Sequence, residues 1–137
     1  MELYRTANQW IENNYSGKTI DSWSKQYLAT VDWQVQKQVR RDNAQTLYEG
    51  LEGSVEFLFP MVEMDSPLFV PVLLREDRDK IRRKLIEESI FCPVHWPRPQ
   101  GAESNLYDME LSLICDQRYG RKDMNRIGEC LRRAIRR

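Results

Sequence analysis

An α+β fold is what this sequence predicts: a small, mostly antiparallel sheet of three to four strands with helices packed on one face, preceded by two N-terminal helices. Three observations lead there. Helical periodicity fills most of the chain up to about Gly50 and returns at residues 76–88 and from Arg121 onward. The period changes at Gly53, after which short runs of branched and aromatic residues follow one another. Their order is strand, strand, helix, strand, strand, helix, which groups the strands instead of alternating each with a helix.

Each element has a local reason. Residues 2–14 place Leu3, Ala7, Trp10 and Ile11 on one helical face, and Asn13-Asn14-Tyr15-Ser16-Gly17 ends that helix. A second helix follows Thr19, with Asp21 or Ser22 available as its cap. A weak point at Ala29-Thr30-Val31 precedes a longer helix, along which Val31, Val35, Val39, Leu47 and Leu51 form an apolar stripe. Ser54–Pro60 and Leu68–Leu74 read as strands joined by Met61–Pro67. Pro71 has no N–H for a ladder, so the second of them is expected at an edge or with a bulge. In the helix at 76–88, Glu76, Asp77 and Asp79 load the positive end and Ile81, Leu85 and Ile86 make the buried stripe. Ile90–His95 reads as a short strand, as does Glu110–Cys115. The last helix buries Met124, Ile127, Leu131 and Ile135.

Composition narrows the function classes. A chain of 137 residues suits one domain and, with 41% apolar and 31% charged residues, is neither disordered nor membrane-embedded. Lys plus Arg equal Asp plus Glu at 21 each, so neither a nucleic-acid nor an anionic-membrane partner is expected. The basic tail around Arg132, Arg133, Arg136 and Arg137 reads first as cations near the negative end of a helix dipole. Three scattered cysteines, Cys92, Cys115 and Cys130, make no disulfide framework, and a single histidine leaves no zinc set. With no apolar run long enough to span a bilayer and no signal-like start, the expectation is a soluble cytoplasmic domain.

Motifs for self-contained catalysis are missing. Neither GxGxxG nor GxxxxGK[ST] occurs, there is no GxSxG, and the carboxylate pair Glu87-Glu88 sits on a helix surface. Two segments stand out. Phe91-Cys92-Pro93-Val94-His95-Trp96-Pro97-Arg98-Pro99 sets an imidazole and an indole at a strand end, then bends the chain with prolines; such loops commonly contact ligands. The plainer alternative is a Trp packed over the sheet with a satisfied His beside it. In the turn Asp116–Gly120, Asp116 can bond local N–H groups, while Arg118 can hold a carboxylate or phosphate in two-pronged fashion or form an ordinary ion pair.

Taken in order, four stretches resemble the C-terminal small domain of sugar aminotransferases of the DegT/StrS type, enzymes of fold-type I that use pyridoxal phosphate (PLP). Val39-Arg40-Arg41-Asp42-Asn43-Ala44-Gln45-Thr46-Leu47 resembles the helix that enters that domain. Phe69-Val70-Pro71-Val72, followed by Arg78-Asp79 and Leu85, is similar to its next strand and helix. Ile90-Phe91-Cys92-Pro93-Val94-His95-Trp96-Pro97 resembles its Pro-x-His-aromatic-Pro strand. Leu111-Ser112-Leu113 through Asp116-Gln117-Arg118-Tyr119, with Asp123-Met124, is similar to its closing strand and last helix. Ser89 stands where the family often has Gly, and Ile114 where it has Pro.

The resemblance covers residues 31–137 and leaves 1–30 as an N-terminal helical segment. It implies a parent enzyme that transfers an amino group to a keto sugar. The cofactor-bearing lysine, the acid that pairs with the pyridine nitrogen and the phosphate-binding residues would all lie in a large domain outside this chain. No catalytic residue is therefore carried over, and none of this chain's residues is expected to bind cofactor or metal. His95, Trp96 and Arg118 are the residues expected to line the substrate cleft of the parent. The partner is expected to be the large PLP-binding domain or a second copy in a dimer. The alternative from another class is a stand-alone, non-catalytic domain that binds a partner protein or small ligand.

Overall fold

The computed structural model describes residues 2–17, 19–63, 65–95 and 98–136. The chain divides into two compact units, residues 1–32 and 33–137. In the first, α1 spans Glu2–Asn14 and α2 spans Ser22–Thr30. Asp21 is the N-cap of α2, its carboxylate accepting the Ser24 N–H at 2.9 Å. Trp23 and Tyr27 stack one turn apart with ring centres 5.8 Å away. The apolar face of α1 is open: Leu3 is 88% exposed and Trp10 66%.

The second unit runs α3 (Trp33–Leu51), β1 (Glu56–Phe57), β2 (Phe69–Leu73), α4 (Arg78–Glu87), α5 (Leu106–Met109), β3 (Glu110–Ile114) and α6 (Arg121–Ile135). The sheet is antiparallel in the order β1-β2-β3. Val70 pairs with Leu113 and Val72 with Leu111, which turns all four side chains to one face. On that face they join Ala44, Leu47 and Leu51 of α3, Ile81 and Leu85 of α4, and Met124, Ile127 and Leu131 of α6 in one core. Helices gathered over one face of a small antiparallel sheet, after two N-terminal helices, give the predicted α+β class. No helix among the described residues is long and apolar enough to cross a membrane.

Five details depart from the sequence reading. Strand β2 is the central strand, although Pro71 argued for an edge or a bulge. The registers Glu56↔Leu73 and Phe57↔Val72 bring Leu58 opposite Pro71; the Leu58 N–H reaches Pro71 O at 3.1 Å, but Pro71 has no N–H to return. The ladder stops there, and β1 is two residues long instead of seven. Residues 90–95 are not a strand: they run beside β3 with a backbone bond from Ser112 N–H to Pro93 O at 3.2 Å, and Pro93 cannot donate in turn. The short helix α5 was not foreseen. On α3 only the C-terminal half of the stripe is buried, because Leu47 and Leu51 meet the core while Val35 stays 53% exposed.

The end of α4 is closed by a residue in the left-handed region. Ser89 has φ +60°, the left-handed conformation, and the N–H groups of Ser89 and Ile90 bond back to Ile86 O and Leu85 O, each at 2.8 Å. Glycine enters that conformation without a Cβ penalty. Ser89→Gly is therefore expected to stabilise the fold by about 1 kcal/mol, read as a higher urea midpoint at unchanged slope.

The basic tail closes the domain. Arg132 donates to Gly50 O at the end of α3, Arg126 donates to Glu88 O, and Arg133 lies 3.6 Å from the Glu88 carboxylate. These cations sit on the C-terminal ends of α3 and α4 as well as on that of α6, where helix dipoles are negative.

Candidate functional site

The face of the sheet turned away from the core carries the polar chemistry. Along β3, Leu111 and Leu113 enter the core, so strand alternation sends Glu110, Ser112 and Ile114 the other way. Glu110 is nevertheless only 2% exposed and Ser112 fully buried. The Ser112 hydroxyl donates to Glu110 Oε1 at 2.6 Å and lies 2.9 Å from His95 Nδ1. Glu110 Oε2 is buried with no hydrogen-bond partner among the described residues. The His95 ring stands edge-on to Phe69 with centres 4.3 Å apart. Three groups from β3 and the loop before it thus form a line from a buried carboxylate to an exposed imidazole.

The neighbouring elements fix the carboxylate end. The Arg78 guanidinium, at the start of α4, donates to the carbonyls of Glu110 (2.8 Å) and Tyr107 (3.4 Å) and pairs with Asp79 at 2.7 Å. It ties α4 to the junction of α5 and β3. Beside that junction a cavity of about 220 Å3 is walled by Leu58, Phe59, Ser104, Leu106 and Tyr107, with Glu110 also in its wall. Arg98 pairs with Asp108 and donates to Ala102 O at 2.9 Å, which folds the loop leading into α5.

Arg118 occupies a separate place, in the turn after β3. Its guanidinium grips both oxygens of Asp116, at 2.6 to 3.1 Å, and its backbone N–H reaches Asp116 Oδ1 at 2.9 Å. The same guanidinium lies 5.6 Å from the centre of the Tyr119 ring. Asn43 of α3 holds the turn from below, its buried amide donating to the carbonyls of Cys115 (3.4 Å), Asp116 (3.1 Å) and Tyr119 (2.9 Å). The hydrogen bond from Arg118, aided by that residue's backbone N–H and charge, keeps the Asp116 carboxyl below the usual carboxylate range against the opposing effect of burial. Burial itself raises the thiols of Cys92 and Cys115 to about 12.

The sign of the Asp116 effect sets a pH dependence. A carboxyl whose pKa is depressed by folding adds stability above its unfolded value, near pH 4, and loses it as pH falls through the lower folded value. Arg118→Ala is accordingly expected to be less stable than the parent chain at pH 7, with the difference vanishing in acid below pH 4. Denaturation curves across that range check it. A gap between the two proteins that persisted unchanged into acid would contradict the ion pair.

Of the three residues expected to line a cleft, the described contacts of His95 (Phe69, Ser112) and of Arg118 (Asp116, Tyr119) share no member. Trp96 lies outside the described residues. Sequence reasoning missed Glu110 and Ser112. The signal was there, as polar residues alternating with Leu111 and Leu113 in a five-residue strand.

Five clefts among the described residues have no lysine in their walls. Lys84 instead donates to Ala134 O at 2.9 Å in the link between α4 and α6. No group of three or more metal-ligating side chains occurs among the described residues.

Comparison with solved structures places the fold. The chain is similar to Spr1654 from Streptococcus pneumoniae, a protein assigned as a candidate sugar aminotransferase. The PLP form and the pyridoxamine phosphate (PMP) form each match with a TM-score of 0.66 at 17% identity over 76% of this chain. The apo form matches with a TM-score of 0.67 at 16% identity over 75%. The chain spans about a third of the length of those structures, 31 to 32%. No family model matches the sequence, and no curated protein matches it either. The fold is therefore that of one part of a sugar aminotransferase.

Proposed function

We propose that residues 31–137 are the small C-terminal domain of a PLP-dependent aminotransferase of the DegT/StrS type, with residues 1–30 a helical segment ahead of it. The parent transfers an amino group to a keto sugar in the cytoplasm. The observation that carries this reading is a match covering 76% of this chain but only 32% of a sugar aminotransferase. The four motifs in their order support it, and Asn43 within the first of them holds the turn after β3. PLP, when bound, supplies the electron sink for amino transfer, from a large domain that also brings the lysine. The small domain closes over the substrate and excludes water, with His95, Trp96 and Arg118 facing the cleft. The large domain, or a second copy in a dimer, is the partner.

This chain alone is not a catalyst on that reading. The test pairs an activity assay with a mass. The isolated 137-residue chain, given PLP, an amino donor and a keto sugar, should show no transamination. The native polypeptide, detected in its own cells by top-down mass spectrometry, should be well over twice this length, as the matched shares of the two chains imply. Turnover by the isolated chain, or a native mass of 16.4 kDa, would reject it. The latter result would leave a stand-alone binding domain.

A further inference from the structure

The cavity at the junction of α5 and β3 has walls of Leu58, Phe59, Leu106 and Tyr107, with Ser104 and Glu110. Glu110 is the one residue among them that carries a charge at neutral pH. Strand pairing says which way that charge points. Leu58 falls opposite Pro71 and Glu110 pairs with Leu73, so both side chains leave the sheet on the face away from the core. The carboxylate is almost wholly buried and is committed at one end only. Its Oε1 accepts the Ser112 hydroxyl at 2.6 Å, while Oε2 has no hydrogen-bond partner among the described residues. The nearby cations are engaged elsewhere: Arg78 by Asp79 and the carbonyls of Tyr107 and Glu110, Arg98 by Asp108.

We infer that this cavity is a binding site for a small organic amine in its ammonium form, with the ammonium group on Glu110 Oε2 and the hydrocarbon part against Leu58, Phe59, Leu106 and Tyr107. A buried carboxylate oxygen without a partner costs free energy both as an unmade hydrogen bond and as an uncompensated charge. An ammonium group brings donors and a positive charge together, so it meets both needs; a hydroxyl meets only the first. Phe59 and Leu106 are exposed and leave an apolar mouth through which such a ligand enters. The volume of about 220 Å3 is below the roughly 300–1,000 Å3 of pockets for drug-sized molecules, which limits the ligand to about one ring. Nothing in the site depends on a large domain, so the 137-residue chain alone tests it.

Benzylamine, protonated at neutral pH, is the probe, and benzyl alcohol is its uncharged counterpart of nearly the same shape. In 1H–15N spectra of the labelled chain, benzylamine should give saturable shifts centred on residues 58, 59, 104, 106, 107 and 110. Benzyl alcohol should bind about tenfold more weakly or worse, the loss expected when a hydrogen bond between charged groups becomes one from a neutral donor. Glu110→Gln keeps an oxygen for the Ser112 hydroxyl and can set an NH2 group where Oε2 stood. It should weaken benzylamine by about tenfold or more and leave benzyl alcohol little changed. Equal affinity for amine and alcohol overturns the inference, because the cavity would then be merely apolar. Failure of benzylamine to saturate overturns it too, as does a Glu110→Gln chain that keeps full affinity. The comparison of amine with alcohol uses the unmodified chain and decides even if the glutamine variant fails to fold.

Discussion

Asn43→Asp is expected to destabilise the second unit by about 4 kcal/mol or more, a large share of what holds an ordinary domain folded. The Asn43 amide nitrogen serves three backbone carbonyls in the turn after β3, those of Cys115, Asp116 and Tyr119. Aspartate puts an oxygen, and at neutral pH a charge, where the donor stood. Three carbonyls then face an acceptor in a buried site. Asn43→Leu removes the donor without adding charge, and a smaller loss of about 1–3 kcal/mol is expected. Urea midpoints for the two variants rank the effects. If aspartate costs no more than leucine, the amide is not the clamp that the geometry shows.

Leu131→Ala is expected to cost about 2–5 kcal/mol, a large share of the roughly 5–15 kcal/mol that holds an ordinary domain folded. Leu131 has 0% exposure on α6, and the contact between α6 and α3 is the most extensive helix pair in the fold. Truncation opens a hole among side chains that belong to α3 and the sheet and cannot easily move in. Leu131→Met nearly preserves volume and should cost less than about 1.5 kcal/mol. The check is equilibrium denaturation at constant slope. A loss below about 1 kcal/mol for the alanine variant would mean that this side chain does not bridge the layers.

The sequence revealed what local chemistry decides. The cap at Asp21 and the turn at Asp116–Gly120 depend on residues two to four positions apart, so their signals lie side by side in the chain. Helical stripes were legible for the same reason, except where tertiary packing decides which half of a stripe is used, as on α3. What stayed hidden depends on pairing across distance. Pro71 was expected to mark an edge because its effect on a central strand depends on which residue lies opposite. Asn43 was singled out within a motif, but its work needs a turn more than seventy residues away. The partners of His95 were invisible because Ser112 and Phe69 reach it from two different strands, although β3 spelled out its own polar face. Arg118, offered as a cleft residue, has its guanidinium engaged by Asp116.

Pro71 has one more effect, on what happens between molecules. An unfinished sheet tends to recruit strands from neighbouring chains, because exposed backbone donors and acceptors template more of the same. Along that edge of β2, Leu58 of the same chain already takes the Pro71 carbonyl, and Pro71 has no N–H to offer. A second molecule laying an extended segment there would find neither backbone group of Pro71 to bond, which works against that route to aggregation.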